Sequence, residues 1–150
     1  MSRPDKAKEL FLSGYNCTQS VVGPYCEELG LDFDTAMKLS SSFGGGMGRM
    51  REVCGAVSGM FIIAGLKCGY SNADDRQGKV NHYALIQKLA SDFKEKNGSI
   101  ICRELLSMAK CKFECDGSYI PSERTENYYK KRPCPEIIKC AAEILEKNIY

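Results

Sequence analysis

The side chains through which this chain could do chemistry are its nine cysteines, in a sequence of 150 residues with a single histidine. Four of them stand where a helix should begin. Cys17 follows Asn16 and lies two residues before Gln19, a capping-box pattern for a helix start. Cys102 opens the apolar stripe Cys102, Leu105, Leu106 and Ala109, at i, i+3, i+4 and i+7. Cys134 precedes Pro135 and Glu136, with proline expected at the first helical position, and Cys54 follows a glycine-rich stretch just before a long apolar run. A helix N-terminus offers unpaired N–H groups and about half a positive charge, which favours thiolate over thiol and lowers a cysteine pKa from about 8.5 by one to several units. Thiolate is both the nucleophile of disulfide exchange and the ligand of soft metals and iron–sulfur clusters, so the placement suits either chemistry. Arg49 and Arg51 are expected to add positive charge near Cys54.

The other five cysteines lack that placement. Cys26 lies late in its helix, Cys68 just before the Gly69 stop and Cys140 in mid-helix, where carbonyl ends disfavour a thiolate. Cys111 and Cys115 fall in a long polar connection, where exposure favours adventitious oxidation. All five are expected to be dispensable. Cys111, Cys115, Cys134 and Cys140 could also be read as a four-thiolate zinc site, although the second spacing is loose and the set takes Cys134 from the first-turn group. His82, on an apolar stripe, is a weaker candidate as proton donor or ligand, because a histidine on a packed face is usually satisfied by a neighbouring carbonyl. Gly44, Gly45, Gly46 and Gly48 match neither a dinucleotide fingerprint nor a P-loop, and a helix precedes them, so no nucleotide is expected.

The elements that must position these residues follow the helical period. A short helix is expected over Asp5 to Leu12, closed by Gly14, and a second from Cys17 that Gly23-Pro24 should kink or interrupt before Gly30. Asp32 or Asp34 caps a third, which runs into Ser40 to Ser42 and the glycine loop. From Val53 to Leu66 every residue is apolar or small, the pattern of a helix buried on most sides and too short to span a membrane. Gly55, Gly59 and Gly65 leave part of its surface without side chains, so another helix can approach its backbone. After the link Tyr70 to Asp75, a long helix carries Leu85, Ile86, Leu89 and Phe93 on its core face and ends at Asn97-Gly98. Ser99 is expected to cap the helix of Cys102, residues 110–133 form a long loop, and the last helix buries Cys134, Ile137, Ile138, Ala141 and Leu145. No β-period appears, so the fold class is all-α: a single domain over residues 1–150, a bundle of about six or seven helices around a buried central helix at about residues 50–68.

Composition narrows the function. Lys plus Arg number 21 against 19 Asp plus Glu, without a basic block, so nucleic acid is not an expected partner. The charged N-terminus lacks a signal-peptide core, so a cytoplasmic location without membrane insertion is expected. An odd count of nine cysteines in a reducing compartment then points to redox chemistry, a metal site or small buried hydrophobes.

Taken together, these residues resemble the family of redox-active proteins named for the pattern C_GCAxxG_C_C. The central motif appears as Cys54-Gly55-Ala56-Val57-Ser58-Gly59, with Asn16-Cys17-Thr18-Gln19-Ser20-Val21 before it, Cys102-Arg103-Glu104-Leu105-Leu106 after it and Cys134 near the end. The resemblance covers nearly the whole chain and implies that Cys17, Cys54, Cys102 and Cys134 are the working cysteines, with Gly55 and Gly59 beside them in any cofactor-binding set. The family also looks like the cysteine-bearing domain of split-Soret cytochromes, which implies an iron–sulfur cluster. No C-x-x-C-H occurs, so covalent haem is not expected. Dithiol oxidoreductases usually hold their pair on one short C-x-x-C segment, absent here, whereas four ligands on separate helices can enclose a cluster, so the spacing leans toward a cluster for electron transfer. A thiol–disulfide oxidoreductase using the same four cysteines is the second reading, and a helical interaction module with inert cysteines is the third. The redox partner, protein or small molecule, and any homo-oligomer are left open.

Overall fold

Most helices in the structure start from a local signal that the sequence carries. In the computed structural model, which describes residues 1–111 and 114–150, Ser2 caps helix α1 (Arg3–Leu12) through the Asp5 N–H, with Pro4 in its first turn. Asn16 and Gln19 form a full capping box at the head of α2 (Cys17–Cys26). Asp32 rather than Asp34 caps α3 (Phe33–Ser40), accepting from the Thr35 N–H. Asp75 caps the long helix α5 (Arg76–Asn97), which ends on left-handed Gly98. Between them lies α4 (Gly55–Cys68), and α6 (Cys102–Met108), α7 (Glu126–Lys131) and α8 (Cys134–Ile149) complete eight α-helices among the described residues. No strand is present there; one isolated antiparallel bridge joins Val53 to Ile101.

The core forms where α2 packs against α1, α3 and α4, and where α8 closes over α1, α4 and α5. Gly55 and Gly59 make the α2–α4 approach possible. A Cβ on Gly55 would stand 2.8 Å from Thr18 Oγ1 and 2.9 Å from Cys17 Cβ, and one on Gly59 would stand 2.8 Å from Val21 Cβ. Gly65 has nothing near it, and α4 emerges into solvent over its last turn, so the helix is enclosed from Gly55 to Ala64 and not to its end. Thr18 locks the contact by donating to the Gly55 carbonyl at 2.9 Å. Tyr25, Phe11, Phe93 and Met60 fill the centre with almost no exposure.

Several elements depart from their sequence pattern. The second helix is not interrupted at Gly23-Pro24: Pro24 sits inside α2, and only after Cys26 does the chain tighten into the 3-10 turn Glu27–Leu29, closed by Gly30. Gly23 is where α1 comes close, since a Cβ there would meet Leu10 Cδ1 at 2.6 Å. Ser99 does not cap α6; Ile101 holds that position, and the Ser99 hydroxyl accepts from the Ile101 N–H and donates to Glu104. Pro135 takes the second position of α8, after Cys134.

The connection after Lys110 is not structureless. It contains α7, whose Thr125 cap accepts from the Tyr128 N–H and whose Tyr128 and Tyr129 rings pack on Phe11. Arg124 straps it down, donating to the Phe11 and Tyr15 carbonyls at 2.9 and 3.0 Å with its guanidinium 4.3 Å from the Phe11 ring centre. Six residues are too few to show a helical period, which is why α7 is invisible in the pattern.

Candidate functional site

The four first-turn cysteines meet although they come from four different helices. Cys17, Cys102 and Cys134 are the first residues of α2, α6 and α8, and Cys54 is the cap residue of α4. All four line one cavity of about 20 Å³, which Gly45, Gly46, Gly55, Arg51 and Arg132 also border. Gly59 lies a turn further along α4 against Val21 and has no place on this wall. The glycine loop forms the roof. Gly45, Gly46 and Gly48 take left-handed backbone with φ of 71, 70 and 62°. A Cβ on Gly46 would stand 2.6 Å from Cys102 Cβ and 2.8 Å from Arg51 Cα, so only glycine fits there.

The shared first-turn position does not make the four thiols alike. Cys134 is held well below the usual thiol range, at about 6, first by the hydrogen bond that Cys17 gives it, then by the charge and hydrogen bond of Arg132 and the charge of Arg51, all against the effect of burial. Cys17 moves the opposite way, well above its ordinary value, because it is the donor in that pair and is buried beside the Cys134 and Cys54 sulfurs. The two titrate as a unit in which one proton is kept between two sulfurs. Burial pushes Cys54 up to about 12, with Cys134 repelling its charge, and outweighs the N–H groups of Ala56 and Val57 that point at it. Burial also raises Cys102, although Arg51 Nη1 lies 3.7 Å from its sulfur. The N–H groups of the first turn of α6 are already used: Cys102 donates to the Glu52 carbonyl at 2.6 Å and Arg103 to that of Arg51 at 3.2 Å. The expectation that helix N-termini would favour thiolate at all four positions is therefore corrected to one, Cys134.

One of the two arginines is placed differently from the sequence expectation. Arg51 lines the cysteine cavity with Cys54 and lies nearest the Cys102 sulfur, its charge also acting on Cys134, whereas Arg49 turns toward the segment after α6, donating to the Ile120 carbonyl and, at 3.4 Å, to Ser122. The residue that sequence reasoning missed is Arg132, two positions before Cys134, whose side chain is only 8 % exposed. Its nearness to Cys134 in the chain was the available signal. Arg49, Arg51 and Arg132 surround the buried carboxylate of Glu114, whose Oε2 lies 3.9, 3.8 and 3.5 Å from them.

The remaining candidates stand apart. Cys26 is buried against the Gly23 carbonyl, Cys68 is exposed, and Cys140 lies near Asn97. Cys111 is not exposed as expected but 1 % accessible, with its thiol donating to the Lys131 carbonyl at 3.2 Å. His82 packs edge-on to Tyr70 on α5, away from the cysteine cavity. Among the described residues no three His, Cys, Asp or Glu side chains are disposed to hold a metal ion, so neither the zinc set nor a cluster set is assembled.

No helix among the described residues is long and apolar enough to cross a membrane. A family model described as "Putative redox-active protein (C_GCAxxG_C_C)" matches residues 15–148. No curated protein matches the chain, and no solved structure does.

Proposed function

The chain belongs to the C_GCAxxG_C_C family of redox-active proteins, and we propose that it is a thiol–disulfide oxidoreductase whose working pair is Cys134, the attacking thiolate, and Cys17, the resolving thiol. The observation that carries this reading is the meeting of Cys17 and Cys134, from the heads of α2 and α8, on the wall of one cavity that Arg51 and Arg132 also line; in that setting Cys134 is held low and Cys17 is pushed up. A pair so divided supplies at neutral pH both a nucleophile and a reserve proton.

The chemistry is a two-electron exchange with a disulfide, RSSR′. The Cys134 thiolate attacks the sulfur that carries R, the S–S bond breaks, R′S⁻ leaves, and the proton held by Cys17 neutralises it. The Cys17 thiolate so formed attacks the Cys134 sulfur of the mixed disulfide, RS⁻ leaves and takes a proton from water, and Cys17–Cys134 is oxidised while RSSR′ is reduced to two thiols. A thiol couple of lower potential returns the pair to its reduced state. Cys54 and Cys102 stay protonated at neutral pH and complete the cavity wall. Nine free thiols suit the reducing compartment in which such a protein would work.

The test is oxidation of the anaerobically purified, reduced protein by a small disulfide, followed by peptide mapping. Loss of two thiols per disulfide consumed and a Cys17–Cys134 crosslink support the reading. A different crosslink overturns the pairing. Iron and acid-labile sulfide bound in near-cluster stoichiometry, and lost in each of the Cys17, Cys54, Cys102 and Cys134 single variants, would replace the dithiol with a cluster.

A further inference from the structure

Next to the cysteine cavity lies a second one, of about 90 Å³, walled by Arg49, Arg51, Arg124 and Arg132 together with Ser122 and Tyr128. The two cavities share Gly45, Arg51 and Arg132. We infer that this arginine-walled cavity binds an oxyanion group carried by the small disulfide or thiol that reacts at Cys134. The inference rests on the dithiol reading for its substrate, and on the cavity itself for its anion.

The balance of charge requires a partner. Four guanidinium groups reach one small space, and the buried carboxylate offered to them is that of Glu114. A single oxygen of that carboxylate faces three arginines, no closer than 3.5 Å to any, and already accepts the Ser122 hydroxyl at 2.5 Å. Asp116 lies 3.8 Å from Arg49 but is 59 % exposed, so water screens it. The thiolate of Cys134 answers one further charge from the cysteine side. Positive charge remains in excess in a place of low dielectric.

The hydrogen bonds show the same deficit. Among the described residues, Arg132 Nε and Nη1 and Arg49 Nε are buried without a hydrogen-bond partner, on side chains 8 and 12 % exposed. Buried guanidinium N–H groups are seldom left so, and a bound ion or ligand is one way in which proteins satisfy them. By contrast Arg124 spends its donors on the Phe11 and Tyr15 carbonyls and contributes charge alone. The guanidinium fork matches the paired oxygens of a carboxylate, sulfonate or phosphate, and the cavity has room for several waters and hence for such a group. Because Arg132 borders both cavities, an oxyanion held there keeps the rest of a short substrate beside the Cys134 sulfur.

The experiment compares dithiodipropionate (carboxylates), dithiodiethanesulfonate (sulfonates) and the neutral bis-hydroxyethyl disulfide as oxidants of the reduced protein, each rate divided by its rate with free dithiothreitol. The expected result is a preference of at least about tenfold for the anionic disulfides. Sodium sulfate should compete with them and not with the neutral one, and whether acetate or sulfate competes better separates planar from tetrahedral recognition. Arg49→Gln should shrink the preference toward unity and Arg49→Lys restore part of it, with thermal unfolding confirming the fold of both. Rapid reaction with the neutral disulfide and no preference for the anionic ones overturns the oxyanion site and leaves the dithiol reading intact. If no disulfide oxidises the pair, the dithiol reading fails; the oxyanion site then stands only if sulfate, against chloride at equal ionic strength, raises the thermal midpoint of the protein and not that of Arg49→Gln, and falls if it does not.

Discussion

Replacing Cys17 with alanine removes the first cause of the low Cys134 pKa while leaving Arg132 and Arg51 in place. A hydrogen bond to a charged group contributes about 1.5 to 3 kcal/mol, or roughly one to two pKa units. From a starting value of about 6, the Cys134 midpoint should therefore rise to roughly 7 to 8. At pH 6 the thiolate fraction then falls from about one half to between about one tenth and one hundredth. Iodoacetamide alkylation under reducing, anaerobic conditions, followed across pH and assigned to Cys134 by peptide mass spectrometry, measures this directly. A small residue also suits the site, because the Gly55 approach leaves little room beside Cys17 Cβ, and helical circular dichroism checks that α2 is retained. A midpoint that stays near 6 in Cys17→Ala refutes the reasoning and assigns the thiolate to the arginines alone.

Gly46→Ala should destabilise the protein by about 2 to 4 kcal/mol in urea unfolding, because the new methyl meets Cys102 and Arg51 at a φ of 70°. Stability should rise as pH increases from about 6 through the ordinary thiol range, because Cys134 is depressed and its contribution is lost as pH falls through about 6. Above about pH 9 stability should fall again, since the unfolded chain releases protons that Cys17, Cys54 and Cys102 keep when folded; thermal midpoints across pH show whether the maximum lies between these limits. A variant with Cys26, Cys68, Cys111, Cys115 and Cys140 all replaced by alanine should keep the low-pH alkylation of Cys134, at a cost in stability concentrated at the buried positions 26 and 111. Loss of that fast thiol in a folded variant would count against the four-cysteine site.

The site was legible in part because first-turn position is local information. The capping box at Asn16, the run of small residues after Cys54, the stripe beginning at Cys102 and the proline after Cys134 each mark a helix start within a few residues of chain. The motif glycines likewise announced a close helix approach, and Gly55 and Gly59 make one. The six-residue α7 carries a Thr125 cap but is too short to show a period; its tyrosines hold it by packing on Phe11, a contact between distant parts of the chain.

Sequence alone thus determined the all-α class, the positions of most helices and the set of cysteines that line the cavity, since period, caps and glycine spacing are properties of neighbouring residues. Which of those cysteines becomes a thiolate was decided only by tertiary structure. All four begin helices, yet Cys54 is silenced by burial and Cys102 by burial and by first-turn N–H groups given to the carbonyls of Arg51 and Glu52. Cys134 alone receives a thiol from α2 and guanidinium groups from two separate segments. A pKa in a buried site is set by whatever charges and donors the fold brings within a few ångströms, and no spacing along the chain encodes that sum.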